Sequence, residues 1–168
     1  MKTYADRMRR NGFTLVEILI TMGISVSVIV ALLSVYLNCA RSWHRTVLAI
    51  ESTREINHCL QQMIYGVGTG MGLRASYTVT NFGTADNWLL RSTNGSEVAW
   101  YDYDPSRTLV IFSNAAGIQV IGTNIIASTV TSTVNSVKIA LTVRKVDGQY
   151  SASNTVSTFV KLRTATMR

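Results

Sequence analysis

Hydrophobic and polar positions follow three successive patterns along the chain. From Ile18 to Ala40 there are 23 residues without a charge, rich in Ile, Leu and Val. As a helix this run rises about 35 Å, enough to cross a hydrocarbon core of about 30 Å. From residue 41 to 65 apolar side chains recur mostly three and four apart, at Trp43, Val47, Ile50, Ile56, Leu60, Met63 and Ile64. Arg45, Glu51, Arg54, Glu55 and Gln61 occupy the other face. This predicts an amphipathic helix that continues the first and lays its apolar stripe on a sheet. Gly66, Gly68, Gly70 and Gly72 then end it. Alternating glycines can also cradle a phosphate, but here no Gly-Lys-Ser/Thr accompanies them and no strand precedes them.

Beyond Gly72 the period becomes two. Short strands are expected at Ser76–Phe82, Asn87–Arg91, Gly117–Ile121 and Asn124–Ser128. Glu97–Tyr103 and Thr108–Ser113 form a hairpin that turns at Asp104-Pro105-Ser106-Arg107, where Pro suits the second turn position. Val137, Ile139, Leu141 and Val143 alternate with Lys138, Ala140, Thr142 and Arg144, which predicts a half-buried strand. Asp147-Gly148 marks a further turn, and Thr158–Thr164 a last strand with Phe159 or Val160 and Leu162 inward. One long helix followed by an antiparallel sheet is an α+β layout.

Charge changes the picture at the N-terminus. The chain carries +7. Lys2, Arg7, Arg9 and Arg10 against Asp6 place +3 of it in the first 12 residues, which leaves +4 from Phe13 onward. The excess is therefore weak evidence for a nucleic-acid partner. Cys39 and Cys59 are 20 residues apart on one helix. That is about 30 Å, against the roughly 7 Å a disulfide allows, so they do not pair with each other. A cross-link between subunits through Cys59 is the alternative to two free thiols.

The stretch Arg9-Arg10-Asn11-Gly12-Phe13-Thr14-Leu15-Val16-Glu17 precedes the apolar run. An ordinary secretory signal has a shorter apolar region and a small-x-small cleavage site. A plain anchor explains the length and the basic flank but not Glu17, since an unpaired carboxylate in a bilayer costs a few kcal/mol. The stretch closely resembles the type III signal of type IV prepilins and pseudopilins. The resemblance implies that residues 1–12 are a basic leader, removed by a prepilin peptidase that cuts between Gly12 and Phe13 and methylates the amine of Phe13. Glu17 then stands fifth in the mature chain, where it would pair with the N-terminal ammonium of a neighbouring subunit and set the axial register. Residues 13–40 become the transmembrane and filament-core helix, 41–65 its amphipathic continuation, and 66–168 a β-rich globular pilin domain. Many major pilins carry a Pro in the apolar run; this chain has Gly23, Ser25 and Ser27 as its weak points instead.

The same resemblance implies a pilin-like fold and a structural role: a minor pilin or pseudopilin that helps initiate or cap a type IV pilus or a type II secretion pseudopilus. Its partners would be other pilins or pseudopilins and an inner-membrane assembly platform. The N-terminus is expected in the cytoplasm and the C-terminal domain outside. Ile64-Tyr65-Gly66-Val67-Gly68, Trp100-Tyr101 and Val160-Lys161-Leu162-Arg163 resemble the J-type minor pseudopilin or the W-type minor pilin. A second reading is a displayed binding module for DNA uptake or adhesion, with Trp88, Trp100, Tyr101 and Tyr103 as exposed aromatics. No catalytic set, cofactor or metal site is expected. His44 and His58 are about 21 Å apart on the helix. Asp86, Asp102, Asp104 and Asp147 lack the spacing of calcium ligands.

Overall fold

A computed structural model describes residues 14–68, 70–84 and 87–163. The helix α1 runs from Leu15 to Tyr65, 51 residues. Nothing in this stretch breaks it, because the chain's single proline is Pro105. It stops at Gly66, whose φ of +97° lies where a side chain is strained, and whose N–H still bonds the Gln62 carbonyl at 2.9 Å. By its internal contacts the chain divides into two units, Met1–Trp43 and His44–Arg168.

In the second unit the helix buries Leu48, Ser52, Ile56, Cys59, Leu60 and Met63. This corrects the stripe read from the sequence. Ile56, Leu60 and Met63 are inward as expected, but Ile50 is 62% exposed and Trp43, at the end of the first unit, 69%. Small residues displace them: Ser52 and Cys59 sit where the helix approaches the sheets closely. Hydropathy alone undervalues such positions.

The expected β region is divided into two antiparallel meanders. The first has β1 (Thr78–Thr84), β2 (Asn87–Thr93), β3 (Val98–Asp104), β4 (Leu109–Asn114) and β5 (Gly117–Gly122), hydrogen-bonded in that order. The second has β6 (Ile125–Thr133), β7 (Ser136–Asp147) and β8 (Tyr150–Lys161). Alternation places Leu90, Tyr101, Val110, Ile139 and Leu141 in one continuous core with the helix. Each such side chain contributes roughly 2 kcal/mol of burial. The pilin-like α+β layout is thus present, with a longer last strand than expected. Along Tyr150–Ser157 the inward positions are Tyr150, Ala152, Asn154 and Val156, all only half-buried. The apolar alternation that reveals β7 is missing there.

Polar bonds tie these layers together. Trp88 Nε1 on β2 donates to Ser128 Oγ on β6 at 3.0 Å, and Tyr103 OH on β3 donates to the Ile125 carbonyl at 3.1 Å. Asn154 Nδ2 on β8 reaches the Ala49 carbonyl at 2.7 Å, Ser52 Oγ at 2.8 Å and Thr53 Oγ1 at 2.9 Å. Buried polar atoms are thereby partnered, which holds helix and sheets in one register.

Candidate assembly segment

The helix begins with a side-chain cap. Thr14 Oγ1 accepts the N–H of Glu17 at 3.3 Å, and Ile18 N–H bonds the Thr14 carbonyl at 3.2 Å. Thr14-Leu15-Val16-Glu17 is the spacing of a capping box, Thr at the cap and Glu three residues on. The cap is thus legible in the sequence. Glu17 therefore lies in the first turn, where a carboxylate is favoured by the helix dipole. Its side chain is exposed, and among the described residues it has no partner within this chain. Gly12 and Phe13, the expected cleavage and methylation positions, lie outside the described residues, as does Asp86.

After Glu17 the helix is long and apolar enough to cross a membrane, and none of its most hydrophobic 18-residue window is buried. Its threonine and serines are turned back on the helix. Thr21 Oγ1 bonds the Glu17 carbonyl at 2.9 Å, Ser25 Oγ the Thr21 carbonyl at 2.7 Å, and Ser27 Oγ the Gly23 carbonyl at 2.9 Å. Ser34 Oγ bonds the Ala31 carbonyl at 2.8 Å. A hydroxyl satisfied this way adds little desolvation cost in lipid or against another helix. The segment can thus lie in a membrane as a single-pass anchor, and the same surface can pack on like helices.

The remaining sequence-derived candidates are dispersed. Trp88, Tyr101 and Tyr103 are buried, not exposed as the binding-module reading required. Only Trp100 of that group reaches the surface in part, with the Arg91 guanidinium 5.6 Å from its ring centre. Tyr101 and Tyr103 pack inward because β3 buries its odd-numbered residues, and Trp88 because β2 buries its even-numbered ones. Cys39 and Cys59 are both free, Cys39 exposed and Cys59 buried, so Cys59 is not placed for a cross-link. His44 stacks on Tyr150 with ring centres 5.4 Å apart. Among the described residues no group of three His, Cys, Asp or Glu could hold a metal ion.

Glu55 departs from the solvated face that the sequence predicts for it. It instead pairs with Lys145 Nζ at 2.5 Å and accepts the Thr123 hydroxyl. Burial alone would raise its carboxyl; the Lys145 and Thr123 contacts outweigh that and hold it below the ordinary carboxylate range.

Comparison with known proteins bears on the segment itself. The family described as the prokaryotic N-terminal methylation motif matches residues 7–33. That stretch includes Gly12, Phe13, Thr14 and Glu17 and ends inside the apolar helix. The chain thus carries a pilin-like prepilin signal, which implies processing by a prepilin peptidase and assembly with other pilins. No curated protein and no solved structure matches the chain.

Proposed function

We propose that this chain is a minor pilin or pseudopilin, a structural subunit that helps initiate or cap a filament of a type IV pilus or a type II secretion machine. The observation that carries the reading is the methylation motif over residues 7–33, joined to a helix whose apolar surface from Leu15 to Leu37 is left exposed. Such a surface needs lipid before assembly and other helices afterwards. The part played is mechanical rather than catalytic. The helix enters a bundle of like helices, and Glu17 meets the methylated ammonium of a neighbour's Phe13. An unpaired carboxylate in that environment is costly, so subunits settle where the charges meet. The long helix running into a glycine-rich turn and the Trp100-Tyr101 strand support a J-type or W-type subunit. The leader charge favours an N-terminus in the cytoplasm.

The test is mass spectrometry of the chain made in cells with its peptidase, together with its recovery in sheared filaments. The expected result is a mature chain that begins at N-methyl-Phe13 and is found in filaments at low abundance, with Glu17→Ala recovered at least about tenfold less. An intact leader, or a Glu17→Ala chain recovered at the normal level, would sink the processing or the register role respectively.

A further inference from the structure

The outer face of the five-stranded sheet is built to be covered. Its pairing aligns one row across all five strands: Phe82 opposite Leu89, Leu89 opposite Asp102, Asp102 opposite Ile111, and Ile111 opposite Val120. Four apolar side chains thus flank a single central carboxylate. Phe82 is 46% exposed and Val120 48%. In the adjoining row Trp100 and Ile118 extend the apolar surface, and Ile118 is 80% exposed. Five strands about 4.8 Å apart and about 20 Å long give a face on the order of 400 Å², on which these apolar side chains form two neighbouring rows.

Asp102 makes no ion pair and no side-chain hydrogen bond among the described residues. Partial burial, and then the nearby Asp104, push its carboxyl above the ordinary range. A cation brought to it from outside would relieve both effects. Arg91 does not serve, since its guanidinium lies over Trp100.

The three-stranded sheet presents the complement. On its outer face Thr131, Lys138 and Phe159 form one row across β6, β7 and β8. Phe159 is 67% exposed. The neighbouring row of Thr129, Ala140 and Ser157 is small and uncharged, so a partner can approach closely. No Asp or Glu occurs in Ile126–Thr133, Ser136–Arg144 or Ser153–Lys161, whereas Lys138, Arg144 and Lys161 do. Lysines often guard sheet edges, but Lys138 stands on the central strand, where no edge needs guarding.

We infer that the outer face of β1–β5 docks on the outer face of β6–β8 of a second copy of this chain, Asp102 of one copy pairing with Lys138 of the next. The two faces differ, so the contact is head-to-tail and leaves one free face at each end. Such a contact repeats by addition rather than closing as a symmetric pair. This deepens the filament reading and rests on it only for the setting: the contact would form the first links of the filament that the chain helps to start.

The test is sedimentation equilibrium of the full chain in detergent at low salt. The expected result is self-association that weakens as salt is raised. Asp102→Lys and Lys138→Asp should each raise the dissociation constant about tenfold, and the double variant should return it to within about threefold of the unaltered chain. Ile118→Lys, at a position too exposed to disturb the core, should weaken association to a similar degree. A chain that stays monomeric at about 100 μM, well above the affinity of a specific contact, would overturn the inference. So would single variants that associate normally, or a double variant no stronger than the singles. If Asp102→Lys fails to fold by circular dichroism, Lys138→Asp and Ile118→Lys decide alone. Failure here leaves N-methylation at Phe13 untouched, so the filament reading is judged separately by mass spectrometry of the N-terminus.

Discussion

The phenol of Tyr101 lies 3.2 Å from the carbonyl of Met63, and 3.1 Å from that of Met71. One carbonyl belongs to the last turn of the helix and the other to the far side of the glycine-rich turn. A helix leaves its last four carbonyls without internal partners, so a buried side-chain donor at this end is worth more than an exposed one. Tyr101 is fully buried and packs on Phe112 with ring centres 5.2 Å apart. Tyr101→Phe keeps the ring and removes the donor. We expect it to lower unfolding stability by about 1–2 kcal/mol, and Tyr101→Ala by about 3–5 kcal/mol, in denaturant titration of the full chain in detergent. A phenylalanine variant as stable as the parent would show that the hydroxyl does not close the turn.

The Glu55–Lys145 pair gives a pH-dependent prediction. The Glu55 carboxyl is held below the ordinary value near 4.5 in the folded state. Its stabilisation is therefore complete above the unfolded value and is lost as pH falls through the lowered folded value. Glu55→Gln should cost about 1 kcal/mol at pH 7, and the difference from the parent should shrink steadily below about pH 4.5. Thermal melts of both chains between pH 7 and pH 3 measure it. A constant difference across that range would place the cost in packing rather than charge.

Cys59 and Cys39 should differ sharply in reactivity. Cys59 is fully buried, and its thiol is pushed up to about 12, first by burial and then by the Glu55 carboxylate. Only the thiolate attacks a maleimide, so at pH 8 almost none is available. In a Cys39→Ser chain, labelling should be negligible while folded and rapid in denaturant. Rapid labelling of the folded variant would mean that the helix opens from the sheets around Cys59.

How far the sequence reaches differs by element. The apolar run, the glycine stop, the hairpin around Pro105 and β7 all announce themselves, because each has a strong local cause: absent charge, a positive φ, a turn proline, strict alternation. The pairing of Glu55 with Lys145, 90 positions away, has no local signature, and a Glu beside Arg54 reads as solvated. The sequence pattern does not show that Tyr101, Tyr103 and Trp88 point inward rather than being available for stacking. Their inward direction depends on which face of β2 and β3 meets the helix, a fact of tertiary packing. Within the candidate segment the prepilin-type motif is legible, as the family match over residues 7–33 bears out, and the Thr-x-x-Glu spacing of Thr14 and Glu17 announces the helix cap. The row through Asp102 needed the register of four strand pairs.

The glycine-rich turn supplies a final prediction, which separates close approach from backbone freedom. Gly72 has φ −86°, a value any residue adopts, so torsion does not require glycine there. Space does. A Cβ on Gly72 would lie 2.3 Å from the Ile64 carbonyl oxygen, 2.3 Å from the Tyr65 carbonyl carbon and 2.4 Å from the Gly66 nitrogen. All three are backbone atoms and cannot rotate away. At Gly23, in the apolar part of α1, an added Cβ meets nothing within 4 Å. Gly72→Ala should therefore cost about 1–3 kcal/mol by overpacking, enough to lower the midpoint of a thermal melt by several degrees. Gly23→Ala should leave the domain's melt unchanged and, if anything, strengthen the helix, since alanine is favoured there by about 1 kcal/mol. Melts of both variants read by near-ultraviolet circular dichroism, which follows the buried aromatics, decide the matter. Equal melts for the two would mean that the chain does not pass against the last turn of the helix at Gly72.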